Sequence, residues 1–314
     1  MYHSYGTVEW LEDQFRDVED DPWGLSWRGF EAIRYKIALR VLNDNIPKLC
    51  RCREELKILD LGCSTGFFTH QLRGLGGSVT GIDASETAIR RARRQYNDIT
   101  FEVGSIFNPS IQAGNYDIIT CLEAIYYVDQ AAQPAFLSAI ERRLSKNGVF
   151  LVSSKVGPPP YFSEERLMEL GKKYFDLRET HHYGCAAFAA PGAVLFDLWR
   201  KMCKLQKLLG TENHMEETEL LNLIVSSPDR QKKLRKLKTA AAKSRVLSFL
   251  MKWVVRLFLT MTQTCLRWKL PSRFANRLAQ GLCLPSTHTI LLLAKRNSAG
   301  QCGDTGEGEL TTKT

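Results

Sequence analysis

The chain has 314 residues, 44% of them hydrophobic, enough to bury a sizeable core and to exclude a disordered or fibrous chain. Its formal net charge of +9 is concentrated in one block: residues 230–296 carry 16 basic and no acidic side chains, whereas residues 1–229 carry 26 basic and 31 acidic ones. The nine scattered cysteines show no CxxC or Cys/His metal spacing, and the opening MYHSYGTVEWLEDQF lacks the basic start and apolar run of a signal peptide. Reduced thiols, no metal site and a cytoplasmic location are therefore expected.

From residue 57 short apolar runs alternate with helical periods. Lys57–Leu61 reads as a buried strand, and a glycine-containing turn leads into a helix at Phe67–Leu75. Ser78–Ile82 is a second strand, and Ser85–Tyr96 a helix with Ser85 placed to cap it. Strands at Ile99–Val103 and Tyr116–Leu122 follow, then a helix at Pro134–Leu144 and a strand at Val149–Ser153. Pro158, Pro159 and Pro160 interrupt this rhythm, which resumes with a helix at Ser163–Tyr174 and a strand at Asp176–Tyr183. Residues 184–286 read as a helical insertion, and His288–Lys295 as the last strand of the same sheet. The Gly/Thr/Glu-rich tail 297–314 is expected to be disordered. Such β-α alternation implies a largely parallel sheet with helices on both faces.

The most informative stretch is ILDLGCSTGFFTHQL, residues 58–72, in which a strand ends at Asp60 and Gly62, Ser64 and Gly66 precede a helix. Glycines let a ligand approach the backbone, and the helix N-terminus presents free N–H groups. The spacing D-x-G-x-S-x-G differs from the G-x-G-x-x-G that holds a pyrophosphate. An acidic residue before the first glycine suits an ammonium group instead. Seventeen residues after Gly66 the second strand ends in Asp83, whose carboxylate is placed to accept both hydroxyls of a ribose. The implied ligand has an ammonium and a ribose but no phosphate.

ILDLGCSTG, GIDAS and YDIITCLEAIYYV resemble, in order and spacing, the motifs of class I S-adenosylmethionine-dependent methyltransferases. The resemblance covers residues 57–183 and the strand 288–295. It implies an α/β fold, a seven-stranded, mostly parallel Rossmann-like sheet with a helical insertion between the last two strands. It also implies S-adenosyl-L-methionine as cofactor. Asp60, Gly62, Ser64 and Gly66 would line the methionine and ribose region, with Cys63 in the same turn. Asp83 would bind the ribose hydroxyls beside Ala84, and Gly104, Ser105 and Ile106 would flank the adenine. Leu122, Glu123 and Ala124 would close the site after the fourth strand. The pattern departs from the family where Ser64 replaces a glycine and where Ser105 stands in place of a frequent acidic residue. C-S-x-G with EAIYYV, and the upstream Asp21-Pro22-Trp23, resemble the NodS-type N-methyltransferases that modify a glucosamine. That likeness would lay the N-terminal segment 1–56 over the cofactor.

Methyl transfer from a sulfonium needs chiefly alignment, and a base only to free an acceptor lone pair. Glu123, His181 and His182 are the candidates for that base, because strands four and six end at the ligand-binding edge. Tyr126 and Tyr127 fit either a pocket or the core, and Arg90, Arg91, Arg93 and Arg94 fit a solvated helix face.

Within the basic block, residues 230–245 hold eight basic residues in sixteen, and residues 246–270 are strongly apolar with Lys252, Arg256, Gln263 and Arg267 along one helical stripe. An interfacial helix on an anionic membrane and a packed lid both fit this pattern. A nucleic-acid face fits less well because the block is so aliphatic. The expected activity is methyl transfer to N or O of a small-molecule acceptor, glycan or lipid-linked, by a protein that is cytoplasmic and peripheral at the membrane. The competing readings are an RNA methyltransferase clamping its substrate with the basic block, and a non-catalytic membrane-docked binding protein with a degenerate cofactor pocket.

Overall fold

A computed structural model describes residues 5–17, 21–49, 53–105, 115–184 and 287–296, with isolated positions between 196 and 264. Ile106, the basic and apolar segments 230–259, most of 260–270 and the tail lie outside the described residues, and so do the expectations placed on them.

Two helices, α1 (Val8–Asp17) and α2 (Gly29–Leu49), precede the sheet. The sheet strands are β1 (Lys57–Leu61), β2 (Ser78–Asp83), β3 (Thr100–Val103), β4 (Tyr116–Leu122), β5 (Leu144–Lys155), β6 (Phe175–Tyr183) and β7 (His288–Lys295). Between them run α3 (Phe67–Leu72), α4 (Glu86–Gln95), α5 (Gln133–Arg143) and α6 (Glu164–Tyr174). All seven strands and four intervening helices fall where the alternation of apolar runs placed them. The largest boundary difference is β5, which begins at Leu144, well before Val149.

The strand order is β3-β2-β1-β4-β5-β7-β6. The neighbours from β3 to β5 pair in parallel. Strand β7 slots between β5 and β6, antiparallel to both, so β6 runs in the direction of β5. Strands buried on both faces read as continuous apolar runs rather than alternating ones, and β7 (HTILLLAK) is buried from Thr289 to Ala294. Successive side chains serve opposite layers. Leu59, Ile119, Phe150 and Leu291 pack with Phe136 of α5 and Leu167 of α6. Ile58, Ile118, Leu151 and Leu292 pack with Leu42 of α2 and Leu72 of α3.

The order reverses between β1 and β4, and such reversals open a crevice outside the carboxyl ends of the strands. The last pair of the β6–β7 ladder, Tyr183 with His288, lies at this same edge. Residues 185–286 therefore leave and re-enter the sheet beside the crevice. Trp199 and Phe196, at the start of that stretch, pack on Trp27 ahead of α2, with ring centroids 4.8 and 6.2 Å away.

Gly77 fixes where β2 begins. Its φ is +69°, and a Cβ added there would meet the Leu56 carbonyl oxygen at 2.0 Å. Gly77→Ala should therefore destabilise the fold by about 2 kcal/mol or more, from left-handed strain plus the clash. The check is thermal unfolding followed by circular dichroism, where a lowering of several degrees is expected. An unchanged midpoint would refute the tight approach.

Candidate functional site

The turn after β1 is held from below by Asp60. Its Oδ1 accepts from Thr120 Oγ1 of β4 at 2.6 Å and its Oδ2 from Thr69 Oγ1 of α3 at 2.7 Å. The side chain is 3% exposed. Asp60 is thus committed first to the loop's own geometry, tying β1 to β4 and to the first turn of α3. Burial is the larger influence on its carboxyl and pushes it up to about 6, while the two threonine hydroxyls oppose that rise.

The backbone then makes three left-handed steps, at Gly62 (φ 73°), Ser64 (φ 51°) and Gly66 (φ 80°). The glycine positions do not leave open room for a ligand. A Cβ at Gly62 would lie 2.6 Å from the Ala124 Cβ, and one at Gly66 would lie 2.6 Å from the Phe101 ring. The glycines are there for φ and for close packing of protein on protein. Ser64, in the glycine-like slot, accepts a left-handed backbone that costs a non-glycine residue ~1–2 kcal/mol. Its N–H donates to Asp83 Oδ2 at 2.8 Å, which holds it there. Its Oγ is buried and finds no hydrogen-bond partner among the described residues.

Asp83 ends β2, and its other oxygen accepts the Ser85 N–H at 2.9 Å. The carboxylate therefore couples the β1 turn to the start of α4. Ser85 caps that helix by accepting the Ala88 N–H, as its sequence position indicated. Glu12 of α1 joins the same junction, accepting from Ser85 Oγ at 2.8 Å and from the Thr87 N–H at 3.2 Å. Half-buried Ala84 lies between these contacts. Cys63 and Cys121 are free, buried thiols. Gly104 donates to the Asp83 carbonyl at 2.9 Å, which brings exposed Ser105 to the rim.

At the end of β4, Leu122 and Ala124 are buried and Glu123 has a left-handed backbone, φ 57°. Its conformation is over-determined. Glu123 N–H donates to Ser153 Oγ at 3.1 Å, and Ser153 Oγ donates back to Oε1 at 2.8 Å. The Tyr183 hydroxyl donates to Oε1 at 3.3 Å and the Lys155 N–H to Oε2 at 3.0 Å. Strained backbone held by surrounding contacts is a mark of functional sites.

Strand β6 reaches this edge, but the residue it delivers is Tyr183. His181 pairs with Glu179 at 2.8 Å and His182 lies 3.4 Å from Glu164 of α6. Both imidazoles thus lie against carboxylates other than Glu123. The imidazole beside Glu123 is that of His288, with Nε2 3.9 Å from Oε2. Reading each strand separately could not reveal it, because His288 opens a strand that the chain reaches only after the insertion. Arg34 and Glu31, one turn apart on α2, were also not singled out from the sequence. They form a buried ion pair at 2.6 Å, and Arg34 also donates to the Tyr35 hydroxyl. An apolar-looking helix such as α2 gives no sequence signal for a charge pair on its inner face.

Tyr126 and Tyr127 face the N-terminal segment. Tyr127 meets Tyr5 and Trp10, at 5.4 and 6.1 Å between centroids, and Tyr126 meets Tyr161 at 5.0 Å. Trp23 lies 5.8 Å from Trp10. On α4, Arg90 and Arg94 are exposed, while Arg91 donates to the Phe15 carbonyl and Arg93 to that of Phe101.

Fold order, turn and strand-end carboxylate together define a doubly wound α/β domain with a ligand crevice at its switch point. Residues 53–183 match the family model described as "Methyltransferase domain". Among curated proteins, the ubiquinone biosynthesis O-methyltransferase of Thiobacillus denitrificans is 33% identical over 97 residues, 29% of this chain and 40% of that protein. The mitochondrial ubiquinone biosynthesis O-methyltransferase of Schizosaccharomyces pombe is 29% identical over 110 residues, 33% of this chain and 39% of that protein. The chain thus spans about two-fifths of these relatives' length. Among solved structures, the N-methyltransferase NodS of Bradyrhizobium japonicum, in complex with S-adenosyl-L-homocysteine, is 23% identical with a TM-score of 0.47. The likeness covers 56% of this chain and 91% of that one.

The buried Asp60 carboxyl has a consequence for stability. Its folded value lies above the ordinary 3.8, so the folded state holds the proton more tightly than the unfolded chain. That contribution is full below pH 4 and is lost as pH rises through about 6. Urea melts of wild type and Asp60→Asn between pH 4 and 7 should diverge, wild type losing up to ~1.4 kcal/mol per pH unit relative to the variant. Parallel curves would contradict a buried, proton-retaining carboxyl.

Proposed function

We propose that the chain is an S-adenosylmethionine-dependent methyltransferase acting on N or O of a small-molecule acceptor, glycan or lipid-linked. The observation that carries this reading is the turn at the β1/β4 switch point, with Asp83 at the neighbouring strand end and a buried Ser64 hydroxyl lacking a partner among the described residues. A buried hydroxyl without a partner costs free energy that a bound ligand would recover. The residues present therefore fit the cofactor. Ser64 and the N–H groups at the start of α3 would hold its polar end, Asp83 its ribose hydroxyls, and Ser105 would flank its base. When bound, the cofactor supplies a methyl group on a good leaving group.

The protein's own task is alignment, which is worth ~7–11 kcal/mol when the reacting atoms are well oriented. Asp60 and Asp83 keep the turn in one conformation, and Glu123 is fixed at the crevice as a proton acceptor. Calorimetric titration with S-adenosylhomocysteine tests the reading. Asp83→Ala should weaken binding about 10- to 100-fold, since hydrogen bonds to a charged group contribute ~1.5–3 kcal/mol. No binding by wild type would sink the proposal, and a non-catalytic pocket would bind but transfer no radiolabelled methyl in an acceptor screen.

The composition of residues 230–270 supports a second element of the proposal, docking on an anionic membrane surface. No helix of the described residues is long and apolar enough to cross a membrane. The full chain should co-sediment with anionic liposomes and be released as salt rises. Equal retention on neutral liposomes would remove the electrostatic part, and tighter, salt-steep binding to RNA would favour a nucleic-acid acceptor.

A further inference from the structure

The contacts of Glu123 fill only part of its capacity. Two donors converge on Oε1, and Oε2 receives the Lys155 N–H. The remaining side of Oε2 faces His288 Nε2 across 3.9 Å, too far for a hydrogen bond. The imidazole plane is fixed by stacking on Tyr183, with centroids 4.9 Å apart and planes at 28°, and by contact with Phe30 at 4.8 Å. Its Nδ1 lies 2.9 Å from Thr287 Oγ1. When Nδ1–H donates to that oxygen, Nε2 presents a lone pair toward the carboxylate. Both side chains are about seven-eighths buried, at 13% and 12% exposure. Two facing lone-pair atoms in a largely buried setting favour a donor placed between them.

We propose that Glu123 and His288 together form the centre that receives the methyl acceptor's N–H or O–H, with Tyr183 as a positioning residue. The proposal rests on the methyltransferase reading above. The acceptor's hydrogen enters the gap between Nε2 and Oε2. As the acceptor heteroatom's lone pair forms its bond to the methyl carbon, the bond from that carbon to sulfur breaks and its electron pair stays on sulfur. The proton passes to Glu123 Oε2, and the new carboxylic acid faces the neutral His288 Nε2. The positive charge on sulfur and the negative charge on Glu123 disappear in the same step, so no new charge is buried. Tyr183 fixes Oε1 through its hydroxyl and the imidazole through its ring.

The imidazole suits this role because it stays neutral. Burial, the largest influence, pushes it down to about 3. Arg34 from α2, Lys155 from β5 and Arg28 ahead of α2 push the same way, against Glu31 of α2. A protonated His288 would instead close the gap by pairing with Glu123.

The test uses the full chain with ¹⁵N-labelled histidine and saturating S-adenosylhomocysteine, with His288 assigned by loss of its signals in His288→Gln. The expected spectrum is a neutral imidazole protonated on Nδ1 from pH 8 to pH 5. Methylammonium or methanol, as minimal N–H and O–H probes, should shift the Nε2 resonance saturably. Glu123→Gln should weaken that response at least tenfold, and Tyr183→Phe should broaden or displace it while S-adenosylhomocysteine binding stays within about twofold of wild type. An Nε2-protonated ring, titration near 6.5, or no response to either probe would overturn the proposal. Loss of S-adenosylhomocysteine binding by wild type would instead overturn the methyltransferase reading beneath it.

Discussion

The crevice depends on one buried carboxylate. Asp60 sits at the last inward position of β1, where the sheet order reverses, and its two oxygens reach Thr120 on β4 and Thr69 in α3. A carboxylate in such surroundings must be hydrogen-bonded, because desolvation without partners costs several kcal/mol. Meeting that demand locks three elements together at the point where the turn must start. The left-handed steps at Gly62, Ser64 and Gly66 then run in a defined direction. Asp83 closes the other side by accepting from Ser64 and Ser85. The motif's first acidic residue thus builds the site from beneath before any question of ligand contact arises.

Glu123 is the counterpart at the end of β4. Its left-handed backbone would relax if the side chain were free, yet Ser153 and Lys155 of β5 and Tyr183 of β6 hold it. Those contacts couple the strain to the sheet itself. Strand β7 makes this possible, because its antiparallel insertion between β5 and β6 sets Tyr183 opposite His288 at the crevice edge. A sheet continued in parallel past β5 would carry the start of its last strand to the opposite edge.

The charge distribution takes on a place through the same topology. Sixteen basic residues lie in 230–296, and most of them fall in the stretch that departs after Tyr183 and returns at His288. Both ends of that stretch are anchored beside the crevice. The N-terminal helices meet the same region from the other side, with Glu12 at the start of α4 and Trp27 against Trp199. Residues 1–229 carry 31 acidic and 26 basic side chains, so the positive surplus of the chain belongs to the block that follows them.

The alternation of apolar runs was sufficient to place seven strands and four helices, because the central strands are buried on both faces and each helix shows its period locally. The turn, Asp83 and Glu123 were legible for a similar reason: they lie at strand ends, and strand ends are visible in the chain. What each residue touches was not legible. The two threonines that Asp60 binds were not foreseen, because the partner hydroxyls come from positions 9 and 60 residues away. His181 and His182 were the visible histidines, yet the β6 residue that meets Glu123 is Tyr183, the last of the strand. His288 became a neighbour of Glu123 only when β7 paired antiparallel with β5 and β6. Sequence by itself determined the elements and the edge where ligands are met, since both arise from local periodicity. Tertiary structure decided the partners of Asp60, Asp83 and Glu123, since their hydrogen bonds join residues on separate elements that no local pattern brings together.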